Sequence, residues 1–108
     1  HLMSTYIDVA SLADIPPGAA AQVEVNGQHI GIYNVDGTLY AMDDLCSHDL
    51  AWLSEGSFDP KTRAVRCPKH TSTFDVTTGR PKTLPAIKPV KTYATKIEEG
   101  RILLLLDS

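Results

Sequence analysis

The sequence predicts an all-β protein, an antiparallel β-sandwich base carrying a small inserted subdomain that bears metal-type ligands. Three observations point there. Glycine-containing two-residue turns at Asn26-Gly27, Asp36-Gly37 and Glu99-Gly100 separate runs of alternating or apolar residues, the pattern of short antiparallel hairpins. No stretch carries a long amphipathic repeat of 3.6-residue period, so nothing argues for a helical layer. Between Met42 and Lys91 the regular strand pattern gives way to two short boxes, Cys46-Ser47-His48 and Cys67-Pro68-Lys69-His70.

In chain order, His1-Leu2-Met3 reads as a cloning remnant followed by the native start at Met3, so one domain is expected over 4–108 with its ligand-bearing subdomain at about 43–90. A helical tendency at 11–15 lasts about one turn, because Pro16-Pro17-Gly18 stops it. Gln22-Val23-Glu24-Val25 alternates polar and apolar up to the Asn26-Gly27 turn, 30–35 follows, and 38–42 returns after Asp36-Gly37. A third hairpin pairs 91–98 with 101–107, and the leucine run 103–106 suits a strand buried on both faces. Gly56 and Gly79 are expected at turns with positive φ. His29 falls in a predicted strand and reads as an ordinary residue. Trp52, the only tryptophan, reads equally well as a core anchor or as part of a docking face.

Composition excludes several function classes. A chain of 108 residues with 43% hydrophobic content builds one modest core, for which a bound metal would be a useful staple. A net charge of −3 argues against a nucleic-acid or anionic-membrane binder. The longest apolar run, 102–106, is too short to span a bilayer, and no signal peptide is recognised. Both cysteines sit in the ligand boxes, leaving none for a disulfide, which fits a reducing cytoplasm. No nucleophile, general base or substrate pocket is legible, so no catalytic residue is expected and the chain is not read as an enzyme.

The chemistry lies in the boxes. Cys46, His48, Cys67 and His70 supply two thiolates and two imidazoles, with 18 residues (49–66) between His48 and Cys67. That donor set suits a [2Fe–2S] cluster in which two histidines replace two cysteines on one iron. It equally suits a tetrahedral zinc ion. Ligand identity and spacing leave the two open.

The surroundings carry a resemblance. The segments DDLCSHDLAWLSEG, VRCPKHTSTFDVTTGRP and LPAIKPVKTY between Asp43 and Tyr93 resemble the Rieske ferredoxins that serve bacterial ring-hydroxylating dioxygenases, in family order and spacing, with the 18-residue gap at the long end. The resemblance implies a Rieske fold and a [2Fe–2S] cluster rather than zinc. It implies Cys46 and Cys67 on the inner iron and His48 and His70 on the outer one. It further implies a monomeric, cytoplasmic one-electron carrier in aromatic hydrocarbon catabolism, fed by a flavin-containing ferredoxin reductase and discharged by a terminal oxygenase. Three rivals stand beside it. A zinc-stabilised binding module would be separated by colour and metal content. A Rieske-like small subunit of a reductase complex often lacks the four ligands present here. A cluster domain of a large oxygenase would less readily carry hairpins at both ends.

Departures from the family pattern refine the expectation. Ala51 and Lys69 stand where high-potential respiratory relatives carry an extra disulfide, so that clamp cannot form. Ser72 keeps a serine donor position, whereas Phe74 replaces a tyrosine donor; Asp49 and Thr71 replace common glycines. Pro68 stiffens the second box, and Leu84-Pro85-Ala86 matches the family's proline loop over the cluster. Leu50, Ala51, Trp52, Lys69 and Pro85 are expected to form a mostly apolar docking patch around the two histidines.

Overall fold

The computed structural model describes residues 4–44, 52–67, 73–82 and 90–107. Within them the strands are, in chain order, β1 (Ser4–Ser11), β2 (Ala20–Val25), β3 (Gln28–Val35), β4 (Thr38–Asp43), β5 (Phe58–Asp59), β6 (Ala64–Arg66), β7 (Thr73–Asp75), β8 (Thr92–Tyr93), β9 (Thr95–Glu98) and β10 (Arg101–Asp107). Two short 3₁₀ turns, Leu12–Asp14 and Leu53–Glu55, are the helical content among the described residues. Local turn chemistry explains three of the pairings. Asn26 and Gly27, Asp36 and Gly37, and Glu99 and Gly100 all have φ between 50° and 94°. Two successive left-handed residues twist a turn in the sense that the flanking strands require, and Gly, Asn and Asp reach that region at low cost. The result is β2 against β3, β3 against β4, and β9 against β10, all antiparallel.

The strands form three antiparallel sheets, ordered β1-β10-β9, β2-β3-β4-β8 and β5-β6-β7. The four-stranded sheet is buried on both faces, because successive strand side chains point to opposite sides. From one face Ile30, Ile32, Leu39 and Ala41 meet Ile102 and Leu104 of β10, together with Ile15. From the other face Tyr33, Val35 and Met42 meet Val65 of β6, Phe74 of β7, Leu53 and Cys67. The first core closes the sandwich base, and the second joins the base to the small sheet. Buried Asn34 is paired through both side-chain ends: its Nδ2 donates to the Ile15 carbonyl at 2.7 Å and its Oδ1 accepts from Gly37 N at 2.7 Å.

The all-β expectation holds, with four differences in detail. Segment 91–98 is not one strand but two. β8 pairs with β4 and β9 with β10, and the chain changes sheets at Ala94, whose carbonyl accepts from Leu105 N at 3.0 Å. The tyrosine at its end explains the split: Tyr93 packs against the first core while its hydroxyl donates to the Asp43 carboxylate. Strand β1 has no local signal as strong as the hairpins, since its partner β10 lies at the other end of the chain. That partner buries Ile102 and Leu104 completely and leaves Leu103 and Leu105 half-exposed, so β10 is a one-faced strand rather than a two-faced one. Finally, Gly56 is extended (φ −85°, ψ −176°), whereas Gly79 has the expected positive φ of 76° and a Cβ there would collide with the Val90 carbonyl.

Candidate metal centre

Strand β6 ends at Arg66, and the next residue is Cys67, 1% exposed within the core that contains Leu53, Val65 and Phe74. The Arg66↔Thr73 register pair closes the connection between β6 and β7. Its base is fastened by Arg66 N on the Ser57 carbonyl at 2.8 Å and Lys82 N on the Thr73 carbonyl at 2.6 Å. Of the four expected ligands, Cys67 is the one the structure places. Cys46, His48 and His70 lie outside the described residues, as do Asp49, Leu50, Ala51, Pro68, Lys69, Thr71, Ser72 and the Leu84-Pro85-Ala86 segment. Their flanks are placed. Segments 45–51, 68–72 and 83–89 each have a described neighbour in one apolar cluster: Leu53 after the first, Cys67 and Phe74 around the second, Val90 after the third. A thiol held in that cluster is shielded from water, the environment that the inner, thiolate-bound side of an iron–sulfur centre requires.

At the stem of the first box a polar assembly takes over from the apolar one. Asp44, the residue after β4, is 0% exposed. Its Oδ1 accepts from Ser54 N at 2.7 Å. Its Oδ2 accepts from Ser54 Oγ at 2.6 Å and from Gln22 Nε2 at 2.6 Å. Its backbone N–H donates to the His29 carbonyl at 3.0 Å and its carbonyl accepts from Leu53 N at 2.6 Å. The Gln22 Oε1 lies 3.3 Å from His29 Nδ1, His29 Nε2 lies 3.2 Å from a Glu24 carboxylate oxygen, and the His29 ring packs on Trp52 at a tilt of 38° with centroids 4.4 Å apart. His29 is thus part of a structured network rather than an isolated strand residue. Half-buried Trp52 is the one member of the expected docking patch that is described, and it spends one ring face on His29. Nothing in the local sequence pattern singled out Gln22 or Ser54; only the position of an aspartate at the edge of the first box hinted at Asp44.

The Tyr33 hydroxyl is fully buried and has no hydrogen-bond partner among the described residues. Gly31 leaves the room for it: a Cβ there would come within 2.8 Å of Asp44 Oδ1 and 2.9 Å of the Tyr33 hydroxyl. Burial first, and then the charge of Asp44, push the Tyr33 phenol far above its ordinary value. Its folded-state pKa therefore exceeds the unfolded one, so the associated stability is present below about pH 10 and is lost as pH rises further, by up to about 1.4 kcal/mol per pH unit. Urea unfolding at pH 8 and pH 11 should show this loss, and Tyr33→Phe should lose less. The variant would keep the part due to Tyr93, which burial and then Asp43 also raise. An equal loss in both proteins would assign alkaline sensitivity elsewhere.

Comparison with known proteins places this arrangement in context. The Rieske [2Fe-2S] domain matches residues 5–94. The chain is 42% identical over 106 residues to the ferredoxin component of the naphthalene 1,2-dioxygenase/salicylate 5-hydroxylase systems of Ralstonia sp, covering 98% of this chain and 100% of that protein. It superposes on the ferredoxin of carbazole 1,9a-dioxygenase from Nocardioides aromaticivorans IC177 with a TM-score of 0.88 at 34% identity, covering 93% and 96% of the two chains. It also matches, at a TM-score of 0.85 and 31% identity over 92% and 91% of the chains, a chain in the complex of reduced oxygenase and oxidized ferredoxin in carbazole 1,9a-dioxygenase.

Proposed function

The chain belongs to the Rieske [2Fe–2S] domain family, and from that premise we propose that it carries single electrons from a flavin-containing ferredoxin reductase to the terminal oxygenase of an aromatic-ring dioxygenase system, with Cys46, His48, Cys67 and His70 as cluster ligands. The observation that carries this reading is the full-length likeness to a dioxygenase ferredoxin component, 98% of this chain against 100% of the relative. Burial of Cys67 beside the flanks of the other two loops supports the ligand assignment. A [2Fe–2S] cluster with two histidine ligands, when bound, takes up and releases one electron.

The chain's own residues do the rest. Cys46 and Cys67 would hold the inner iron, and around Cys67 the apolar second core keeps water from the sulfur. His48 and His70 would hold the outer iron and give the electron its exit. The β5-β6-β7 sheet and its connections support reading 43–90 as the cluster-binding part of one domain spanning 4–108. No helix among the described residues is long and apolar enough to cross a membrane. We place the carrier, as a monomer, in the cytoplasm, where two cysteines in ligand roles and no disulfide are at home.

Iron and acid-labile sulfide assays with electron paramagnetic resonance of the reduced protein test the proposal. The expected result is a brown-red protein with the signal of a histidine-ligated cluster. Without the disulfide and with Phe74 in place of a tyrosine donor, its midpoint should lie near the low end of the Rieske range, roughly −150 mV. Stoichiometric zinc in a colourless, folded sample would overturn it.

A further inference from the structure

We infer that Asp44 is a positioning residue for the first ligand box, and that its buried charge holds the protein's midpoint potential down. This rests on the cluster assignment above. Asp44 closes a ring around the stem of segment 45–51: its carboxylate grips Ser54 beyond the segment and Gln22 on β2, Gln22 reaches His29 on β3, and His29 packs on Trp52, which returns to Ser54. Five hydrogen bonds involve this one residue. Three of them fall on the carboxylate, as a wholly buried carboxylate demands.

The donors around Asp44 solvate the carboxylate without neutralising it. Among the described residues no cation pairs with it; its donors are the Gln22 amide, the Ser54 hydroxyl and the Ser54 backbone N–H. Only Leu45 lies between Asp44 and Cys46, so their Cα atoms are at most about 7 Å apart. A fixed negative charge at that range, out of water, is poorly screened. It would oppose the arrival of an electron at a cluster held by Cys46 and favour its departure. The same grip ties the residues on either side of segment 45–51 to one another and to β2.

Three variants separate charge from packing, each measured in the loaded protein by voltammetric midpoint, electron paramagnetic resonance line shape and thermal melting. Asp44→Asn removes the charge and should raise the midpoint. Gln22→Lys sits at an exposed strand position and sets an ammonium against the intact carboxylate; it should raise the midpoint too, and it decides the matter if Asp44→Asn does not fold. Ser54→Ala keeps the charge and removes one donor, so it should broaden the resonance and lower the melting temperature without raising the midpoint. A midpoint unmoved by Asp44→Asn and Gln22→Lys would reduce Asp44 to a fold-stabilising role and overturn the inference. An upward shift in Ser54→Ala matching theirs would overturn it as well, by tracing the effect to loosening. Absence of iron and sulfide from the wild-type protein would instead sink the cluster assignment.

Discussion

Cys67→Ala should cost the protein its iron and a large part of its stability in one step. The thiol is 1% exposed in the core that joins the base to the small sheet, so its replacement removes a proposed ligand from the centre of the packing. The lost sulfur alone leaves a small void, worth on the order of 1 kcal/mol at a buried site. Loss of the metal is a different matter, because binding free energy at a site absent from the unfolded chain is folding free energy. The variant should therefore retain less than a tenth of the wild-type iron and sulfide, and its melting curve should resemble that of chelator-treated wild-type protein. Wild-type iron content with an unchanged resonance would remove Cys67 from the ligand set. A full loss of iron with unchanged melting would instead show that the fold stands without its metal.

Phe74→Ala should be the most destabilising change among the described residues that leaves every expected ligand in place. The ring is 0% exposed, sits on β7 opposite Val65, and is bridged from the other side by Pro81. Around it lie Tyr33, Met42, Leu53, Val76 and Val90, which come from all three parts of the chain that flank the ligand segments. Truncating a buried phenylalanine typically costs about 3–5 kcal/mol, against a total stability of roughly 5–15 kcal/mol in a small domain. The melting temperature should fall on the order of 20 °C. Urea titration of wild type and variant checks it, and a loss below about 1 kcal/mol would mean that the second core collapses around the void. Phe74→Leu, which keeps most of the apolar volume, should lose much less.

The two variants test different halves of the same arrangement. One asks whether metal holds the small sheet to the base, the other how much the apolar cluster holds without it. If the Asp44 inference is right, neither the iron content nor the melting temperature will track the midpoint potential in the Asp44, Gln22 and Ser54 series, since the potential follows charge and the other two follow packing.

What the sequence by itself determined is what depends on neighbours along the chain. The three hairpins were legible because left-handed turn geometry is a property of two adjacent residues, and Asn26-Gly27, Asp36-Gly37 and Glu99-Gly100 carry it locally. The ligand boxes and the family were legible because donor chemistry and short spacing survive without coordinates. Tertiary structure alone decided what depends on partners far apart in sequence. It set β1 against β10 across the whole chain and made Tyr93 and Thr95 members of different sheets. It placed Gly56 at the close of a 3₁₀ turn, its N–H on the Leu53 carbonyl, but with a negative φ of −85° where a positive one was expected. It joined Gln22, His29, Asp44, Trp52 and Ser54 into one assembly across two strands, the residue after β4 and a turn. A hydrogen bond between residues 22 positions apart leaves no trace in either residue's local pattern. Only the packing that buries Asp44 makes those particular partners necessary.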